Sequence, residues 1–97
     1  MKLFASWPKA KRIYKYEIQL IEEFEIEMPE GSIILSVQSQ NNFPVIWALV
    51  FPDAKKCKRK FKLVGTGHSI DNWTCLDYVG TFQLDGGAFI GHLFEII

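Results

Sequence analysis

The chain has 97 residues, 48% of them hydrophobic and 14% aromatic, and its eleven basic and eleven acidic side chains cancel. A chain of that length holds one compact core, and the composition excludes intrinsic disorder, which needs low hydrophobicity and high net charge. Zero net charge leaves no global field to draw the protein to nucleic acid or to an anionic membrane.

Residues 1–12 lack a clean period and carry Trp7-Pro8 with the basic Lys9, Lys11 and Arg12. They read as an N-terminal arm ahead of a single β domain over residues 13–97. Leu3, Phe4 and Ala5 are too short an apolar run for a signal peptide, and no run approaches a membrane span, so the expected compartment is the cytoplasm.

From Ile13 the pattern alternates: Tyr14, Tyr16, Ile18 and Leu20 fall on one face, Lys15, Glu17 and Gln19 on the other, which is strand periodicity. Phe24, Ile26 and Met28 alternate with Glu25 and Glu27 in a second strand, which the turn residues Pro29-Glu30-Gly31 end. Ile33, Leu35 and Val37 alternate with Ser36 and Gln38 up to a turn at Asn41-Asn42, since asparagine tolerates the left-handed region. Val45 to Phe51 is apolar on both faces, as expected of a central strand.

Cys57, Arg59, Phe61 and Leu63 then share a face, with Lys58, Lys60 and Lys62 opposite them. Such lysines mark solvent, a binding surface, or an edge strand protected against aggregation. The charge order along the chain is basic, acidic, basic, which predicts acidic and basic strands side by side. Beyond a polar loop from Gly65 to Leu76, two strands flank Asp85-Gly86-Gly87, a strong hairpin signal. A single helical turn fits within Asp71 to Asp77. The sum is an all-β fold of six or seven short, mostly antiparallel strands in a small sandwich or barrel.

No complete catalytic or metal constellation is present. Cys57 and Cys75 belong to no Cys-x-x-Cys pattern and read as two free, buried thiols. With His68 and His92 they make four potential zinc ligands, but no pair has the close spacing of a structural zinc site. His92 shares a face with Ile90 and Phe94 and reads as a hydrogen-bonded histidine at the core margin. A Cys75–His68 nucleophilic pair would also need an orienting group and an oxyanion hole.

The candidate site is the loop Gly65-Thr66-Gly67-His68-Ser69. Its glycines would let backbone amides approach an anion, with Thr66, Ser69 and His68 as donors. It has neither the third glycine and helix of a dinucleotide fingerprint nor the Gly-Lys-Ser/Thr of a phosphate loop. Trp73 either stacks on a planar ligand or caps one end of the sandwich as a lid. The expected ligand-binding set is Lys60, Lys62, Thr66, Gly67, His68, Ser69 and Trp73, with no cofactor.

An ordered set of segments carries a resemblance: Ile13-Tyr14-Lys15-Tyr16, Met28-Pro29-Glu30-Gly31, Ile34-Leu35-Ser36-Val37-Gln38, Trp47-Ala48-Leu49-Val50, Gly65-Thr66-Gly67-His68, Gly80-Thr81-Phe82-Gln83-Leu84 and His92-Leu93-Phe94-Glu95. Together they resemble a family of small uncharacterised proteins encoded by phages, prophages and bacteria. Phe51 stands where that pattern leads one to expect a polar turn-forming residue, and residues 1–12 extend beyond its usual start. The resemblance implies no activity, but it implies a setting in which small accessory proteins act on host systems by binding.

The expected function is therefore non-enzymatic sequestration of a small anionic, nucleotide-like ligand of host defence. A chain this short can hardly enclose a nucleotide alone, so a homo-oligomer with the pocket between subunits is expected, Arg12 of a second copy adding charge. The alternative is a protein-interaction module or inhibitor of a host protein, using its charged strands as complementary patches or adding a strand to a partner's sheet.

Overall fold

In the computed structural model, which describes residues 10–97, seven strands alternate with turns. They are β1 (Arg12–Glu17), β2 (Glu23–Pro29), β3 (Ile33–Gln40), β4 (Phe43–Val50), β5 (Lys56–Gly65), β6 (Leu76–Leu84) and β7 (Phe89–Ile96). The fold is all-β, as the alternation predicts. Residues 1–9 of the expected arm lie outside the described residues, and Arg12 already belongs to β1.

The strands form two antiparallel sheets, ordered β1-β4-β3 and β2-β5-β7-β6. The chain changes sheet at Ile18–Glu22, at the turn after Pro29 and at Phe51–Lys55. At the second crossing Ser32 N–H bonds the Pro29 carbonyl at 3.2 Å and Gly31 takes φ +82°, the left-handed angle that favours glycine. The Phe51 ring packs 3.8 Å from where a Gly31 Cβ would stand, with Lys11 Nζ 5.9 Å from its centroid. That half-buried, cation-capped position accounts for an aromatic residue where a polar one was expected.

One core lies between the sheets. Val37 and Ile46 of the smaller sheet meet Met28, Phe61, Leu63, Phe82 and Leu93 of the larger. The alternating residues of each strand supply it, because successive side chains point to opposite faces. The sheets approach most closely where β3 meets β6. A Cβ on Gly80 would stand 2.9 Å from Val37 Cγ1, so only glycine permits that contact.

β5 is flanked by β2 and β7, which corrects the edge-strand explanation of its lysines. Glu23, Glu25 and Glu27 of β2 stand opposite Lys62, Lys60 and Lys58 of β5, so the acidic and basic strands are neighbours. The mutual neutralisation suits the lysines to an interior strand. The outer face of the smaller sheet is partly strapped: Lys15 Nζ donates to Gln40 Oε1 at 2.8 Å and Trp47 Nε1 to Gln38 Oε1 at 3.0 Å.

The two hairpin loops clasp each other. Asn42 Nδ2 donates to Asp85 Oδ1 at 2.7 Å, and the Asp85 N–H donates to Asn42 Oδ1 at 2.7 Å. Asn41 and Asn42 have φ of 51° and 64°, as a two-residue hairpin turn demands. Asn42→Gly keeps that backbone and deletes only the clasp. Urea denaturation should show a loss of about 1 kcal/mol, with Asp85→Gly in the same background adding less than it costs alone.

Candidate functional site

The loop after β5 turns back across the outer face of the larger sheet. It starts with a tight turn in which His68 N–H bonds the Gly65 carbonyl at 3.1 Å, and Gly67 takes φ +90°. Thr66 Oγ1 then meets His92 Nε2 at 2.7 Å. Farther on, the Trp73 ring packs edge-on against Phe94 with centroids 5.7 Å apart, inside a 3₁₀ turn at Trp73–Cys75. The loop ends as Ile97 N–H bonds the Cys75 carbonyl at 2.9 Å. This course explains why Val64 and Phe94 are buried on what would otherwise be a solvent face.

Two features emerge on this face. Trp73 and Tyr78 flank the buried Phe94, with Tyr78 at 5.5 Å between centroids, and each remains 60% exposed. Beside them runs a chain of polar groups: Tyr78 Oη to Thr81 Oγ1 at 2.6 Å, Thr81 Oγ1 to His92 Nδ1 at 2.9 Å, and His92 Nε2 to Thr66. A neutral imidazole has one donor and one acceptor, so the two threonine hydroxyls satisfy both nitrogens. The chain ties the loop to β6 and β7 and fixes the Tyr78 hydroxyl, while Trp73 is positioned by its packing against Phe94.

The structure brings together only part of the expected set. Lys60, Lys62, Thr66 and Trp73 share this outer face. Lys60 and Lys62 line a cleft of about 350 Å³ with Asp71, Asn72 and Cys75. His68 and Ser69 line a separate cleft of about 310 Å³ with Leu20 and Ile21. The His68 ring folds back over Gly65, 3.4 Å from where a Cβ would stand. Gly67 is exposed, with nothing within 4 Å of its Cβ position.

Lys62 corrects the reading of all three lysines as exposed. It is buried, with Nζ 3.6 Å from Glu23 and 3.9 Å from Glu22. Cys75 corrects the other burial expectation: it is exposed, and Cys57 is half-buried. Cys75 and His68 line different clefts, so no nucleophilic pair forms between them. Among the described residues no three His, Cys, Asp or Glu side chains are grouped to hold a metal ion.

Tyr78, Thr81, His92 and Phe94 were missing from the expected set. His92 had a partial signal, since its place beside Phe94 pointed to a hydrogen-bonded ring. Tyr78 and Thr81 had none, because a β-bulge at Val79 sets their spacing along the strand.

A third concavity, about 520 Å³, opens where β3 and β6 diverge. Arg59 forms its floor. Its Nε and Nη2 grip both oxygens of Glu95, the latter at 3.0 Å, and Nη1 donates to the Ser32 carbonyl at 2.8 Å. The hydrogen bond to Glu95 raises the Arg59 guanidinium above its ordinary pKa, against the opposing effect of burial.

Fold and face together define a small two-sheet β domain with an exposed aromatic platform on its larger sheet. The chain belongs to a family described as a domain of unknown function, DUF7352, whose model matches residues 9–97. No curated protein and no solved structure matches it. Among the described residues no helix is long and apolar enough to cross a membrane.

Proposed function

We propose that this domain is a non-enzymatic binding module that captures a small planar, nucleotide-like anion on the outer face of its larger sheet. The observation that carries the reading is the pair of exposed rings, Trp73 and Tyr78, held either side of Phe94 beside the Thr66–His92–Thr81 hydrogen bonds. Large aromatics held in place and left exposed suit stacking on a planar ring. Lys60 is exposed on the same face with Glu25 as its cross-strand neighbour, and Lys62 is occupied by its glutamates. Stacking therefore carries more of the affinity than charge does.

The platform is open, so a second copy of the chain would cover the bound ligand, giving a homo-oligomer. In the setting that the sequence resemblance implies, this is a phage-type accessory protein that sequesters a nucleotide signal of host defence in the cytoplasm.

The test is a panel of mono-, di- and cyclic nucleotides titrated into the protein, followed by tryptophan fluorescence and thermal shift. At least one should quench fluorescence and raise the melting temperature. Trp73→Ala should weaken that binding by about tenfold and leave the circular dichroism spectrum unchanged. A panel with no response, together with a bare monomer in native mass spectrometry of protein purified from a bacterial host, would defeat the reading.

A further inference from the structure

β3 and β6 are edge strands of their respective sheets. They touch at Val37 and Gly80, yet among the described residues no backbone hydrogen bond joins them. Towards Ser32 on one side and Asp77 on the other they part, and the 520 Å³ cleft lies between. Both strands bulge at its mouth, at Leu35 in β3 and at Val79 in β6. Bulges re-aim side chains and end regular pairing, leaving main-chain donors and acceptors open to an incoming strand.

The walls are apolar and uncovered. Ile33 is 53% exposed, Leu35 47%, and Tyr78 borders the same opening. Native surfaces seldom leave several large apolar side chains together without a use. The floor is polar and unbalanced. Arg59 satisfies Glu95, while Asp77, opposite Glu95 in the β6–β7 register, is exposed and forms no ion pair among the described residues. The cleft thus carries one uncompensated negative charge between two apolar lips. Ser32 and the first three residues of β3, Ile33 to Leu35, present about 13 Å of edge at about 3.3 Å per residue.

From these features we infer that the β3–β6 cleft receives an extended segment of a partner protein, which adds a short strand to an open edge and lays a lysine or arginine beside Asp77. Main-chain hydrogen bonds would supply affinity, and the apolar lips and Asp77 would supply the preference for alternating apolar and basic side chains. This surface meets the aromatic platform only at Tyr78, which borders both, and does not require a nucleotide ligand.

The experiment is an array of pentapeptides Thr-Val-Xaa-Val-Thr probed with the full chain, followed by titration of the lysine and glutamate members into isotopically labelled protein by NMR. The lysine peptide should bind about fivefold tighter than the glutamate peptide or better. Its amide shifts should centre on residues 33–35 and 77–79. Asp77→Lys, at an exposed position facing Glu95, should keep the fold and reverse the preference. N-methylation at the central peptide bond should abolish binding. Equal binding of both peptides, an unchanged preference in Asp77→Lys, or shifts centred elsewhere would overturn the inference. So would a second copy of this chain occupying the cleft, seen as a dimer whose formation excludes the peptide.

Discussion

Replacing Phe61 with alanine is expected to cost about 3–5 kcal/mol of stability, the largest loss from any single truncation in this domain. Phe61 is fully buried and is the largest such side chain among the described residues. It lies at the middle of β5, stacked on Phe24 with centroids 5.6 Å apart and planes 18° from parallel. Around it the core belongs to both sheets, so the cavity would form where neither can collapse without separating from the other. Domains of this size are stable by only about 5–15 kcal/mol, so the variant should unfold at much lower urea. Phe61→Leu, which retains most of the volume, should lose less than about 2 kcal/mol. A loss below about 1 kcal/mol for the alanine variant would mean that the sheets do not share one core.

Tight packing also acts in the opposite sense one layer away. A Cβ on Gly91 would fall 2.7 Å from the Phe82 ring and 3.0 Å from a Leu63 methyl. Gly80 faces the same restriction against Val37. Gly80 lets β6 approach Val37 of the opposing sheet, and Gly91 leaves room for the Phe82 ring and the Leu63 methyl of its own flanking strands.

The strands themselves were legible because most carry a period-two pattern, β4 is an apolar run, and they end in turn residues whose backbone demands are local. Asn41-Asn42 and Asp85-Gly86-Gly87 all adopt the positive φ that their residue types favour. The pairing of β2 with β5 was also legible, since one strand carries glutamates where the other carries lysines. What could not be read is how the strands divide between sheets. Period two says which residues share a face but is silent on which strand lies alongside, so an interior β5 was open to misreading as an edge.

The same limit applied to the site. Thr66 and His92 are 26 residues apart, Arg59 and Glu95 are 36 apart, and Asn42 and Asp85 are 43 apart. The first two form only once β5 and β7 pair within the larger sheet, and the third only once the two sheets are assembled. The loop from Gly65 read as one binding unit because its polar residues are contiguous. A single tight turn sends His68 towards Leu20 and Ile21 and leaves Trp73 to fold onto Phe94.

Removing Arg59 is the second large perturbation. Arg59→Ala should destabilise the domain by about 2–3 kcal/mol, below the value for a fully buried pair because both side chains retain some exposure. The guanidinium makes two bonds to Glu95 in the larger sheet and one to the Ser32 carbonyl at the start of the smaller, so it fastens the sheets at the end remote from the Asn42–Asp85 clasp. Without it the Glu95 carboxylate, 16% exposed, would face Asp77 with no compensating charge. Arg59→Lys should recover only part of the loss, because an ammonium cannot reproduce the planar fork. The sign of the pKa shift is clear: a cation whose pKa is raised by folding stabilises the fold at every pH below its unfolded value, and loses that contribution only as pH rises through the folded one. Titration of Arg59 should therefore contribute no slope to stability between mild acid and mild base. The paired change Arg59→Met with Glu95→Leu removes both charges and should restore most of the stability. If the double variant is as unstable as Arg59→Ala, the tie to the Ser32 carbonyl, rather than the unpaired carboxylate, is what the single substitution destroys.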